Sequence, residues 1–140
     1  MKYWLCVTNE DNWRVVKQRK IWGVPAKRGR RQIESVEPGD YLVFYVKPKR
    51  IGGILKAASE PFESNEKIFS WSEFGREEFF PYRIRLEPLI VPEEPMPIEA
   101  LISKMSFAKG RKCWSVFLRR AMVKISAKDF EMVRQFVSGK

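Results

Sequence analysis

Apolar positions along this chain fall mostly into short runs bounded by turn residues, with two stretches of helical spacing. Residues 2–8, KYWLCVT, are β-branched and aromatic and are followed by Asn-Glu-Asp-Asn, which predicts a strand with a buried centre. Residues 9–17 predict a helix. Asn9 suits an N-cap, Glu10 and Asp11 suit the positive first turn, and Trp13 and Val16 share one face. Residues 21–25 then read as a loop carrying the isolated Trp22, and residues 27–31 as basic loop or a short turn of helix. Pro38 and Gly39 mark a turn over residues 36–40, since proline presets φ and glycine supplies the permissive position. A strand over 41–47 follows, and its partner over 51–59 contains Gly52-Gly53, which predicts a bulge or a close backbone approach.

Residues 60–78 read as an acidic, aromatic loop containing Trp71. A third long strand covers 82–91, with Pro88 placing its end at an edge. A proline-rich connector over 92–97 precedes short helices at 98–105 and 114–120 and a short strand at 121–125. Ser126 caps a final helix over 127–137 that buries Phe130, Val133 and Val137, with Met132 and Phe136 flanking. The expected architecture is α+β and forms a single domain over residues 1–140. Its mostly antiparallel sheet curls towards a barrel, with short helices on the outside.

The chain has 140 residues and no histidine, which removes the commonest general base, the Ser-His and Cys-His nucleophile pairs and nearly all zinc sites. Cys6 and Cys113 sit in apolar contexts without metal or redox spacing and read as buried, reduced thiols. No metal or other cofactor is expected. No apolar run approaches the ~18 residues of a membrane helix, and the first residues do not have the pattern of a signal peptide. The expectation is a cytoplasmic protein that does not enter membranes, with a monomer favoured.

Positive charge is in excess and unevenly placed. The chain carries 27 basic and 17 acidic residues and has a net charge of +10, together with 19 aromatics. Residues 12–33 hold eight basic residues and no acidic one: Arg14, Lys17, Arg19, Lys20, Lys27, Arg28, Arg30 and Arg31. Residues 60–100 are net acidic, and 101–140 are basic again. A cationic surface evolved for heat stability would mix the signs, whereas segregated charge interleaved with aromatics is the composition of a nucleic-acid binder. Trp4 and Trp114 lie in apolar strings and are expected to pack, and Trp13 is expected to pin its helix to the sheet. Trp22 and Trp71 stand in polar surroundings, where an indole either ties down a loop or stacks on a flat group.

Five segments taken in order resemble the EVE domain, a member of the PUA-like group similar to the YTH readers of N6-methyladenine in RNA. They are KYWLCVTNEDNW, IWGVP, PGDYLVFYV, RIGGILKAASEPFES and FPYRIRLEPL, and they span nearly the whole chain. The resemblance implies a PUA-like pseudo-barrel with a pocket for a flipped or unpaired modified base. Carried over residue by residue, it puts Trp22 at the cage tryptophan, Asn9 and Asn12 at the polar positions after the first strand, Thr8 at a small hydroxyl position and Trp71 at a second cage wall. Lys20, Lys27, Arg28, Arg30 and Arg31 would hold phosphates beside the pocket, and Lys109, Arg111, Lys112, Arg119 and Arg120 form a second basic patch. The expected partner is therefore RNA or DNA carrying a modified base, bound without catalysis. Two other readings compete. Glu10 and Asp11 could act as acid and base on a bound base, or the same cage could hold a small ligand or a partner's methylated amine.

Overall fold

Four of the apolar runs, Tyr3–Thr8, Ile21–Val24, Tyr41–Val46 and Arg50–Ala57, become strands buried on both faces. The computed structural model describes residues 1–24, 30–47, 50–64, 66, 80–97 and 122–138. Strand β1 (Tyr3–Thr8) leads into helix α1 (Glu10–Arg19), strand β2 (Ile21–Val24) and the short helix α2 (Arg30–Glu34). Then come β3 (Tyr41–Val46), β4 (Arg50–Ala57), β5 (Phe62–Glu63), β6 (Tyr82–Ile90), β7 (Met96–Pro97) and β8 (Met122–Ile125), and α3 (Ala127–Ser138) closes the described chain. The sheet order is β2-β6-β4-β3-β1-β8, with β5 on β6 and β7 on β4. Among the described pairs only β1 and β3 run parallel, in register from Tyr3↔Tyr41 to Thr8↔Val46; the others are antiparallel. This is the curled, mostly antiparallel α+β architecture that the apolar pattern predicts. The helices expected at 98–105 and 114–120 lie outside the described residues, as do Cys113 and Trp114.

Alternate side chains of the central strands enter different cores. Trp4 and Cys6 of β1 and Leu42, Phe44 and Val46 of β3 pack on one face, where α1 adds Trp13 and Val16 and α2 adds Ile33. Leu5, Val7, Val43 and Tyr45 pack on the other, where α3 adds Phe130, Val133 and Val137. Tyr3, Tyr41 and Phe130 stack on one another there, with centroids 4.6 to 5.9 Å apart. Two-sided burial explains why YLVFYV reads as continuously apolar rather than alternating. The cap on α3 is as expected: Ser126 Oγ accepts from Asp129 N at 3.0 Å.

Gly52 serves as both bulge and close approach. Phe44 pairs with Gly53 and Tyr45 with Ile51, so Gly52 is the extra residue of a β-bulge in β4. A Cβ there would lie 2.5 Å from Cε2 of Trp13, so the missing side chain is what lets α1 press its indole onto the sheet. Pro88 pairs with Leu55 beside a second register shift. Among the described residues, the half of β6 that holds it is bonded to β4 alone, which leaves its other side as an edge that tolerates proline.

The Pro-Gly-Asp turn is fixed by Asp40, which is buried. Its carboxylate accepts from Lys2 N at 3.0 Å, Glu37 N at 3.0 Å and Trp4 Nε1 at 3.2 Å, while Gly39 takes φ +98°. One side chain thereby joins the turn before β3 to the start of β1, its parallel neighbour. Asp40→Ala strands three donors and is expected to cost about 3 kcal/mol. Urea unfolding should show a lowered midpoint at unchanged slope.

Candidate nucleic-acid interface

Helix α1 begins where β1 ends, and this junction gathers three of the expected site residues. Asn9 is the N-cap, with φ −104° and ψ 176°, and its Oδ1 accepts from Asn12 N at 2.8 Å. Thr8 is buried, and its carbonyl accepts from Lys47 N at 2.9 Å, which joins the carboxyl ends of the parallel strands β1 and β3. Asn12 is only 2% exposed and lies on the inward face of α1 with Trp13 and Val16. A buried amide on a helix face otherwise given to packing is unusual, since its polar atoms must be matched. Trp13 tilts against Phe44 with centroids 5.3 Å apart, and the Lys17 ammonium lies 5.6 Å from the Trp13 ring.

Strand β2 corrects one expectation: Trp22 is not in a loop. Lys20 takes the left-handed conformation at φ 56°, caps α1 through its N–H to Val16 O at 2.8 Å, and turns the chain directly into β2. The reversal uses no glycine or proline, so the sequence carries no punctuation for it. Trp22 then pairs with Ile84 of β6, and its indole is 1% exposed, meeting Phe44 edge-on at 84° and 5.3 Å. Phe44 therefore links Trp13 and Trp22 within a single aromatic core. Trp71 lies outside the described residues.

Cations stand at both ends of the β2–β6 ladder. At one end Ile21 pairs with Arg85, and Lys20 O accepts from Leu86 N at 2.8 Å, so the exposed Lys20 and Arg85 are neighbours. The Arg85 guanidinium lies 5.3 Å from the Phe62 ring. At the other end Val24 pairs with Tyr82, and the Arg30 guanidinium lies 4.8 Å from the Tyr82 ring. Arg30 Nε also reaches Glu34 Oε1 at 2.7 Å, and this hydrogen bond, ahead of the field of Tyr82, raises the Arg30 pKa. Arg31 is exposed in the same short helix. Lys27, Arg28 and the second basic patch (Lys109, Arg111, Lys112, Arg119 and Arg120) fall outside the described residues. Arg85 escapes sequence reasoning because it belongs to the acidic stretch 60–100. Strand register, not sequence proximity, brings it beside Lys20.

The groups a catalyst would use have other surroundings. Glu10 and Asp11 are exposed in the first turn of α1, within 4.0 and 3.9 Å of Arg14, and Arg50 also lies 4.0 Å from Glu10. Burial pushes the Cys6 thiol well above its usual range, so it stays protonated. Among the described residues no three His, Cys, Asp or Glu side chains gather as a metal would need, and no helix is long and apolar enough to cross a membrane.

The EVE domain family model matches residues 2–136. The chain belongs to the EVE domain family. Two relatives carry only the description UPF0310 protein. One, from Pyrococcus abyssi, is 39% identical over 98% of this chain and 100% of its own length, and one from Pyrococcus horikoshii is 33% identical over 98% and 99%. Among solved structures, the Mmi1 YTH domain superposes with a TM-score of 0.67 at 13% identity, covering 99% of this chain and 75% of that one. A YTH domain-containing protein Mmi1, solved as an RNA complex, gives 0.67 at 12% identity over 97% and 80%. A hypothetical protein from Leishmania major gives 0.68 at 12% identity over 99% and 96%. At these identities the likeness to YTH domains is one of fold. This EVE domain therefore shares the YTH architecture, with its Asn9–Asn12 junction and its Trp22 ladder on contiguous elements.

Proposed function

We propose that this EVE domain is a non-catalytic nucleic-acid binding module that recognises a modified base of RNA or DNA. The observation that carries the reading is the bracketing of the Trp22 ladder by Lys20 and Arg85 at one end and Arg30 at the other. The ladder spans about 10 Å between those ends. That arrangement occurs in a fold shared with a YTH protein solved with RNA. In this reading Trp22 and Trp71 supply the aromatic walls, and Thr8, Asn9 and Asn12 supply polar groups for a base edge. Thr8, Asn12 and Trp22 are 1–2% exposed in the free protein, so the base enters by displacing what covers them. Lys20, Lys27, Arg28, Arg30, Arg31 and Arg85 hold phosphates. The protein works as a cytoplasmic monomer.

The energetics suit that division. Taking a base out of its stack costs a few kcal/mol, and stacking on an aromatic ring returns about 1–3 kcal/mol. An asparagine amide offers both donor and acceptor, so it matches a base edge that a charged group would not. A methyl group adds no hydrogen bond, so preference for it comes from close apolar contact, worth about 1–3 kcal/mol. Phosphate contacts set affinity but carry no base identity.

The phosphate assignment has its own test. Charge reversal at Lys20, Arg30 and Arg31 should weaken binding of every oligomer alike, by roughly tenfold to a hundredfold. It should also flatten the salt dependence by about 0.7 for each single-strand phosphate that is no longer neutralised. Fluorescence-anisotropy titrations at several salt concentrations would measure both quantities. A change confined to modified oligomers would place these residues at the base instead.

A further inference from the structure

A cation outside the proposed phosphate surface stands beside the Thr8–Asn9 junction. Thr8 of β1, Val46 of β3 and Arg50 of β4 pair in one row across the sheet, and residues paired in this way point to the same face. Val46 packs in the core that holds Trp13, Phe44 and Trp22, so Arg50 emerges at the rim of that core, on the side covered by α1. Its Nη2 lies 4.0 Å from Glu10 Oε2, and Glu10 directly follows Asn9 in the chain.

This arginine is anchored but not saturated. Its side chain is 26% exposed, and Nη2 donates to Lys47 O at 3.0 Å, which holds the guanidinium at the start of β4. Glu10 stands too far off for a hydrogen bond, and among the described residues Arg50 makes no other. The fork therefore keeps N–H donors for an incoming group, in a geometry that suits a phosphate. An ion pair this long and this exposed contributes little. Glu10 also keeps a partner if Arg50 leaves, because its other oxygen lies 4.0 Å from Arg14. Exchanging the carboxylate for a phosphate thus costs little.

We propose that Arg50 holds the phosphate of the recognised nucleotide itself, leaving Glu10 for that phosphate when the base meets Asn9. The inference rests on the reading above and deepens it, by adding a contact whose place on the strand is set by the modified base. Lys20, Arg30 and Arg31, by contrast, act on every oligomer alike.

The test pairs a change in the protein with a change in the ligand. Wild type is first titrated with single-stranded RNA and DNA oligomers carrying one N6-methyladenine or one 5-methylcytosine, and with their unmodified twins. The preferred oligomer is then remade with one neutral methylphosphonate linkage, placed at each position in turn. Arg50→Gln should bind the unaltered oligomer about tenfold more weakly than wild type. Wild type should lose a similar factor when the neutral linkage adjoins the modified base, whereas Arg50→Gln should lose nothing further there and still respond at distant linkages. Glu10→Gln, a change at an exposed position, serves if Arg50→Gln fails to fold. It should tighten binding about threefold by removing the competing carboxylate, and that gain should vanish when the linkage beside the modified base is neutral. Equal, additive losses at every linkage, with the base preference intact, would make Arg50 one more general cation and overturn the proposal. A wild type that binds every modified oligomer and its twin equally would instead overturn the reader assignment on which it rests.

Discussion

Gly52→Ala should be among the most damaging single-methyl additions this protein can receive, lowering stability by about 2–3 kcal/mol and Tm by roughly 10 °C. The added carbon would come within 2.5 Å of Trp13 Cε2, 2.7 Å of its Cζ2 and 2.8 Å of a methyl of Val46. None of these can withdraw freely. Trp13 is 1% exposed and leans on Phe44, while Val46 is buried at the end of β3. Trp13→Phe removes the atoms that clash, so in a double-mutant cycle the pair should cost well under the sum of the singles. Chemical and thermal unfolding measure it. Strict additivity would show that the bulge, not the indole, makes glycine necessary.

The second large effect belongs to Trp22. Trp22→Ala empties a site bounded by Phe44 in the main core and should cost about 3–5 kcal/mol. It should also abolish any preference for modified over plain oligomers while weak, salt-sensitive binding survives. Trp22→Phe keeps a ring at the site and should cost less than half as much, which gives a folded variant for binding measurements. Loss of modified-base preference in the phenylalanine variant, with plain binding retained, assigns the indole to recognition. Equal loss on both kinds of oligomer assigns it to packing alone.

Most of the fold could be read from the residues because each signal there was local. The strands at β1, β3, β4, β6 and β8, the Asn9 and Ser126 caps and the double-glycine signal all depend on neighbours a few positions apart. Trp22 reads from sequence as a loop residue for a related reason. A lysine in the left-handed conformation turns the chain as sharply as glycine does, and nothing in the dipeptide Lys20-Ile21 announces it. The partnership of Lys20 with Arg85 is a product of register between distant strands, and no spacing along the chain encodes it. Asp40 falls between these cases: the Pro-Gly-Asp turn was legible, but its bonds to Lys2 and Trp4 arise only once β1 lies alongside β3.

The assignment of this EVE domain as a reader of modified bases is tested most directly by wild-type affinities for matched oligomer pairs at two salt concentrations. The expectation is that one modified oligomer binds at least tenfold more tightly than its unmodified twin. Added salt should weaken both members while leaving their ratio nearly constant, because phosphates supply the salt-dependent part and the pocket supplies the rest. A ratio of one for every pair, with affinity governed by salt alone, would contradict the account and leave a protein that holds polyanions without reading them.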